Sequence, residues 1–241
     1  MNLWLTIPCY RDAERLSHFL PRLCACLQEL PGIGIQVVDD GSGAVEARRV
    51  EEAIRAVDDE KKILHPPLIL EKNRGKGGAV YASWNVAPEA EWLGFVDADG
   101  AVPPEEVARL TELTVRGELP TDALLASRVK MLGRRVDRSM KRHVVGRVFA
   151  TLASAAIGLE AYDTQCGLKL VRRSAYLAVR SRLSECRFAF DVDLLAQLAK
   201  QGVRMREVPV DWSDVPGSKV SLVRDSFQMA NAVWRLRRTI R

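Results

Sequence analysis

Four short apolar runs, at residues 3–7, 33–38, 68–70 and 92–96, punctuate the first hundred residues, and each is separated from the next by a stretch long enough to hold a helix. Almost wholly apolar, such runs suit strands covered on both faces, and consecutive parallel strands need crossover connections that are usually helical. The expected fold is therefore α/β, with a mostly parallel central sheet flanked by helices. Leu16, Phe19, Leu20, Leu23, Leu27 and Leu30 follow helical spacing behind Asp12, a candidate N-cap, with Pro21 as a point of kinking. Helices are also expected over 45–57 and 79–85. In the second half the pattern predicts helices at 103–116, 145–157 and 190–200, strands at 123–127 and 203–212, and a basic amphipathic segment from residue 220. The division expected is one domain over 1–219 and a C-terminal basic helical extension over 220–241.

Open α/β sheets bind ligands outside the carboxyl ends of their strands. Pro8, Asp39-Asp40, residues 72–78 and residues 97–100 all fall at such ends, so four turns converge on one crevice. In Asp97-Ala98-Asp99 two carboxylates one residue apart repel each other unless a cation or a hydrogen-bond network compensates them. A divalent ion shared with a diphosphate does so, and turn formation or capping of the following helix is the alternative. Asp39-Asp40-Gly41-Ser42 is either a turn or a carboxylate acceptor for a base or ribose. Residues 72–78 place three cations among glycines that permit close backbone approach to a ligand. Neither a Walker A loop nor a G-x-G-x-x-G fingerprint is present.

Charge is uneven. Lys or Arg occupy positions 128, 130, 134, 135, 138, 141, 142 and 147 against Asp137 alone, and Arg235, Arg237, Arg238 and Arg241 flank Trp234. Such clusters suit a phosphate-rich or anionic-membrane partner, and an amphipathic helix packed on its own domain explains the second equally well. Few aromatics stand among these basic residues, so no nucleic-acid partner is expected. Cys9, Cys24, Cys26, Cys166 and Cys186 form no C-x-x-C pair and read as reduced thiols. The start of the chain does not read as a secretory signal, and the longest uncharged apolar stretch, 148–159, is too short to span a bilayer. A cytoplasmic protein, peripheral at most on the cytoplasmic membrane face, is the expectation.

In order, Ile7-Pro8-Cys9-Tyr10-Arg11-Asp12, Val38-Asp39-Asp40-Gly41-Ser42, Asn73-Arg74-Gly75-Lys76-Gly77 and Asp97-Ala98-Asp99-Gly100 resemble the family 2 glycosyltransferases of the GT-A fold. Ser127-Arg128, Asp163-Thr164-Gln165-Cys166-Gly167-Leu168-Lys169, Phe190-Asp191-Val192-Asp193 and Trp212 followed by Gly217-Ser218-Lys219 look like the polyprenyl-phosphate branch, above all the dolichyl-phosphate β-glucosyltransferases. The resemblance implies an inverting, metal-dependent hexosyltransferase that uses Mg²⁺ or Mn²⁺, a nucleotide-sugar donor, foremost UDP-glucose, and a lipid-phosphate acceptor. It implies that Pro8, Tyr10 and Asp12 line the uracil or ribose pocket, that Asp40 holds the base, and that Lys76 and Gly77 form the adjoining wall. Asp97 then contacts the ribose and shares the metal with Asp99, while Arg128, Arg142 and Lys219 serve donor or acceptor phosphates. An anionic acceptor needs no general base; for a hydroxyl acceptor Asp191 is the candidate, with Asp163 and Asp193 behind it, and helix capping for Asp191 and Asp193 and turn formation for Asp163 are the structural alternatives. Arg11 and Asp12 stand where the family usually carries Asn and Glu. From other classes, a nucleotidyltransferase and a non-catalytic nucleic-acid-binding protein are the competing readings.

Overall fold

The computed structural model describes residues 1–137, 161–187, 189–215, 232 and 234–236. Strands β1 (Leu3–Cys9), β2 (Ile33–Asp39), β3 (Leu68–Ile69) and β4 (Trp92–Val96) alternate with helices α1 (Ala13–Leu27), α2 (Ala44–Arg55) and α3 (Lys76–Val86). Then follow α4 (Pro104–Val115), β5 (Ala123–Ser127), β6 (Val136–Asp137), β7 (Leu168–Arg172), α5 (Arg173–Val179), a 3₁₀ turn at Arg180–Arg182, α6 (Phe190–Lys200), β8 (Met205–Pro209) and β9 (Trp212–Ser213). Seven strands form one sheet in the order β3-β2-β1-β4-β7-β5-β8, and β6 pairs with β9 in a small second sheet. All neighbours in the large sheet are parallel except at β7, which runs antiparallel to both β4 and β5.

The expected mostly parallel architecture is present, with one strand of the large sheet, β7, that the sequence pattern missed. Residues 168–172 read Leu-Lys-Leu-Val-Arg, and a lysine at the second position signals exposure to water. In the sheet Lys169 is fully buried. Because β7 is reversed, its beginning, and not its end, shares the edge where β1, β2, β4 and β5 terminate. Residues 163–167 thereby join the crevice.

Successive residues of a strand face opposite sides, and β1 shows the result. Leu3, Leu5 and Ile7 pack into one core with Leu16, Leu20 and Leu23 of α1 and Val107 and Leu110 of α4. Trp4 faces the other core, built from Trp84 of α3, Leu93 and Phe95 of β4, Tyr176 of α5 and Phe190 and Leu194 of α6. Two apolar layers therefore hold the sheet, each fully buried Leu or Phe contributing about 1.5–3 kcal/mol. Pro21 lies inside α1 without ending it. Asp12 occupies the N-cap position but makes no capping hydrogen bond; its carboxylate instead takes Arg15 one turn on, at 2.8 and 2.6 Å. The expected helix at 145–157 lies outside the described residues, as does most of the C-terminal extension. Within the latter, Ala232 and Trp234–Leu236 are helical, Leu236 is buried, and Arg235 pairs with Glu185 at 2.8 Å.

Candidate active site

The acidic turn leaves β4 at Asp97. Lys76, the first residue of α3, reaches Asp97 Oδ1 at 2.7 Å while its ammonium lies 4.9 Å above the Phe95 ring and 5.6 Å from that of Phe190. Burial works against this charge, yet Asp97 and Asp191 outweigh it and hold the amine above its ordinary pKa. Asp99 keeps one oxygen on the Ala101 amide at 3.0 Å and has the other 3.8 Å from Arg15 Nη1. Burial, then the neighbouring Asp97 carboxylate, raise its pKa. Among the described residues no group of three His, Cys, Asp or Glu surrounds a metal site. An open pair of carboxylates suits Mg²⁺ or Mn²⁺, hard ions that keep waters and take substrate phosphates in place of a full protein cage. Asp97 and Asp99 could hold such an ion.

Gly167, at the start of β7, is the clamp on this turn. Its carbonyl accepts the Asp97 amide at 2.9 Å, and a Cβ there would stand 2.2 Å from Asp97 Oδ2. The resemblance named Gly167 without a role, since no local pattern connects a residue to a side chain seventy positions earlier.

The glycine-rich segment serves a different purpose from the one expected. A Cβ on Gly77 would lie 2.3 Å from Phe190 Cβ, and Gly78 donates its amide to Cys186 O at 2.9 Å. Gly77 thus admits Phe190 at the start of α6, and Gly78 leaves room for Arg74, whose Cβ would lie 2.5 Å from a Cβ there. Asp40 likewise is spent inside the protein. Its Oδ1 accepts the Arg74 amide at 2.7 Å, and its Oδ2 accepts the Gly75 amide and Asn73 Nδ2, each at 2.9 Å. The expectation that Asp40 holds a base thus meets a carboxylate that ties the 73–75 loop to β2. Asp39, 1% exposed, takes the Ser42 amide on Oδ2 and leaves Oδ1 without a hydrogen bond. Beside it, Ser42 Oγ accepts the Arg11 amide at 2.7 Å. Arg11 has φ 52, a left-handed conformation that asparagine tolerates better than arginine does; this explains physically why Asn is the usual residue there. Pro8, one residue before the end of β1, lies opposite Val38, and Tyr10 just beyond the strand is exposed.

The three acids nominated as bases are engaged inside the protein, and Asp193, fully buried, accepts the Ser184 and Glu185 amides on Oδ2 at 2.7 and 2.9 Å. Asp163 receives Arg128 in a fork, Nε to Oδ2 at 2.6 Å and Nη2 to Oδ1 at 2.7 Å, together with the Arg128 amide at 3.0 Å. Burial alone would raise its pKa, but Arg128 holds the carboxyl well below the usual carboxylate range. A carboxylate so reluctant to take a proton makes a poor base. Arg128 in turn has two of its three guanidinium nitrogens committed, which narrows its expected reach toward a phosphate. Asp191, in the first turn of α6, pairs with buried Lys169 at 2.6 Å, and Lys169 also donates to Cys166 O at 2.9 Å. No local pattern links Asp191 to Lys169, twenty-two positions earlier. Arg142 and Lys219 lie outside the described residues.

The Arg128 pair ties stability to pH with a definite sign. An aspartate whose folded pKa is depressed adds stability above its unfolded value, about 3.9, and loses it as pH falls toward the folded value. Arg128→Met removes that gain, so its acid-unfolding midpoint should move up relative to the wild type. Acid titration of circular dichroism at constant ionic strength reads this; coincident midpoints count against the pair.

Comparison with known proteins agrees with the crevice. Residues 4–179 match the family described as glycosyl transferase family 2. A dolichyl-phosphate β-glucosyltransferase of Saccharomyces cerevisiae is 30% identical over 95% of this chain and 72% of its own length. Glycosyltransferase AglD of Haloferax volcanii is 28% identical over 96% of this chain, which spans only 36% of that protein. In solved structures, glucosyl-3-phosphoglycerate synthase of Mycobacterium tuberculosis, in complex with Mn²⁺, UDP and phosphoglyceric acid, superposes with TM-score 0.73 at 13% identity, covering 99% of this chain and 78% of that one. That likeness fixes the fold, and the GT-A expectation from the motifs is borne out. With the family's match running from β1 to the end of α5 and a yeast relative aligned along almost all of the chain, the protein belongs to glycosyl transferase family 2 and is an enzyme.

Proposed function

We propose that the enzyme transfers a hexose, foremost glucose, from a UDP-sugar to the phosphate of a polyprenyl-type lipid with inversion, and that Asp97 and Asp99 hold Mg²⁺ or Mn²⁺ with the donor diphosphate. The observation that carries the acceptor class is the engagement of all three candidate bases, Asp163 with Arg128, Asp191 with Lys169 and Asp193 with the Ser184 and Glu185 amides. A hydroxyl acceptor must lose a proton as it attacks, whereas a phosphate monoester is already anionic. The names of the yeast relative and its kin support the same class.

When bound, the metal neutralises charge on the departing diphosphate. The chain's own groups do the rest. Lys76 fixes Asp97 and sets a positive charge beside the leaving group, where it gains strength as charge develops. Arg15, tied to Asp12, steadies Asp99 from the opposite side. For the nucleoside, Pro8 and Tyr10 offer a wall, and Asp39, with its open Oδ1, replaces Asp40 as the acceptor for a base N–H. Arg142 and Lys219 remain candidates for the acceptor phosphate. The lipid acceptor places the enzyme at a membrane surface, proposed to be the cytoplasmic face; among the described residues no helix is long and apolar enough to cross one.

UDP and Mn²⁺ together should stabilise the fold more than either alone, by roughly 2.7 kcal/mol at a hundredfold excess over Kd, or about 5–10 °C in Tm for a chain of this size. Asp99→Asn should erase the Mn²⁺-dependent part. A panel of UDP- and GDP-sugars offered with polyprenyl phosphate, with products weighed by mass spectrometry, identifies the reaction. If no nucleoside diphosphate shifts Tm and no lipid-linked sugar forms, the reading is overturned.

A further inference from the structure

Just beyond β5 the chain turns back on itself at a point that the sugar chemistry does not use. The Arg134 amide donates to Met131 O at 3.1 Å, and Gly133 takes φ +82, closing a tight turn over residues 131–134. Leu132 at its apex is 99% exposed and Met131 is 51% exposed. A leucine wholly in water is ordinary when single; here two large apolar side chains share one projecting turn.

The base of the turn is firmly rooted. Arg134 binds Glu106 of α4 at 2.8 Å, and the Arg135 amide donates to Asp211 at 2.9 Å. Directly after, β6 pairs with β9, and the Ser213 amide of β9 donates to Ala101 O at 3.0 Å, two residues past Asp99. The turn is thus connected through one short sheet to the acidic turn, and it springs from the same sheet edge because β5 is parallel to β1 and β8. Lys130 and Arg135 on its flanks are exposed. Arg134, spent on Glu106, is not counted with them, and Asp137 in β6 is the nearest acid along the chain.

We propose that the 130–135 turn is the element by which the enzyme seats on an anionic lipid bilayer, Met131 and Leu132 entering the headgroup layer with Lys130 and Arg135 on lipid phosphates. Two apolar side chains at a rigid tip, flanked by cations, match a surface that is apolar beneath and negative above. Seating there brings the rim of the crevice to the depth at which a lipid phosphate lies. The inference rests on the lipid-acceptor reading for its purpose, while the binding itself requires no acceptor.

The test is co-sedimentation of the full chain with vesicles of phosphatidylglycerol and phosphatidylcholine, alone and mixed. Wild type should pellet with phosphatidylglycerol, and added salt should weaken it. Lys130→Gln with Arg135→Gln should lower the partition coefficient by about 30-fold, the effect of two surface cations. Met131→Ser with Leu132→Ser should lower it about tenfold or more. Activity on a short, water-soluble prenyl phosphate should remain at the wild-type level in both variants, which also reports that they fold. Equal binding by wild type and either double variant, or no preference for the anionic lipid, overturns the proposal. Vesicle binding by a wild type that glycosylates no prenyl phosphate overturns the function and leaves the seat in place.

Discussion

Lys169→Met should destabilise the protein by about 3–5 kcal/mol, because it strands the Asp191 carboxylate in a site where both partners are almost wholly shielded from water. At roughly 2–4 °C per kcal/mol, the melting temperature drops by about 10 °C. The physical cause is the unpaired charge and not the lost contact, which the double variant separates: Lys169→Met with Asp191→Leu removes both charges and should recover most of the loss. Urea denaturation of the three proteins reads the cycle. A single variant within 1 kcal/mol of wild type means that Asp191 finds another cation, with Lys76, already coupled to it electrostatically, the obvious one.

The second large effect is on catalysis with the fold spared. Gly167→Ala introduces one methyl group, and it meets Asp97 along its length, Oδ2 at 2.2 Å, Cγ at 2.7 Å and Cβ at 3.1 Å, so the whole side chain must swing aside. No left-handed φ is imposed at 167 and the backbone need give by only a few tenths of an ångström, so Tm should stay within a few degrees. Asp97, however, must leave Lys76 or tilt its second oxygen, and a misplacement of about 1 Å in a catalytic array can cost on the order of 100-fold. Steady-state kcat/KM with a saturating metal concentration measures it. Activity within threefold of wild type shows that the position of Asp97 does not govern the reaction.

The first four strands were legible because each is a short apolar run and the residues after each run are polar or glycine. No such contrast marks β7, whose buried Lys169 breaks the apolar pattern and is paid for by an aspartate twenty-two positions later. The acids were legible as acids, not as roles. Asp39 and Asp40 are adjacent in sequence and chemically identical, and only the fold shows that the amides of 74 and 75 fill Asp40 while one oxygen of Asp39 stays open. Asp163 read as a possible base because its guanidinium partner lies thirty-five residues away. The glycine at 77 suggested a ligand because close approach was plain, whereas the approaching group, Phe190 at the start of α6, was out of local view.

The reversed strand also sets an order of assembly. During synthesis β1 to β4 can pair as soon as they emerge, since each finds its neighbour within the preceding segment. β4 then waits through α4, β5 and β6 for the only strand that covers its other side, and β5 waits for the same one. Until Leu168–Arg172 has left the ribosome, the nascent chain presents the open backbone of Trp92–Val96, an apolar edge of the kind that recruits strands from other molecules. Arrival of that one segment closes both edges at once and, through Gly167, completes the acidic turn, so the late step that protects the chain from aggregation is also the one that arms it.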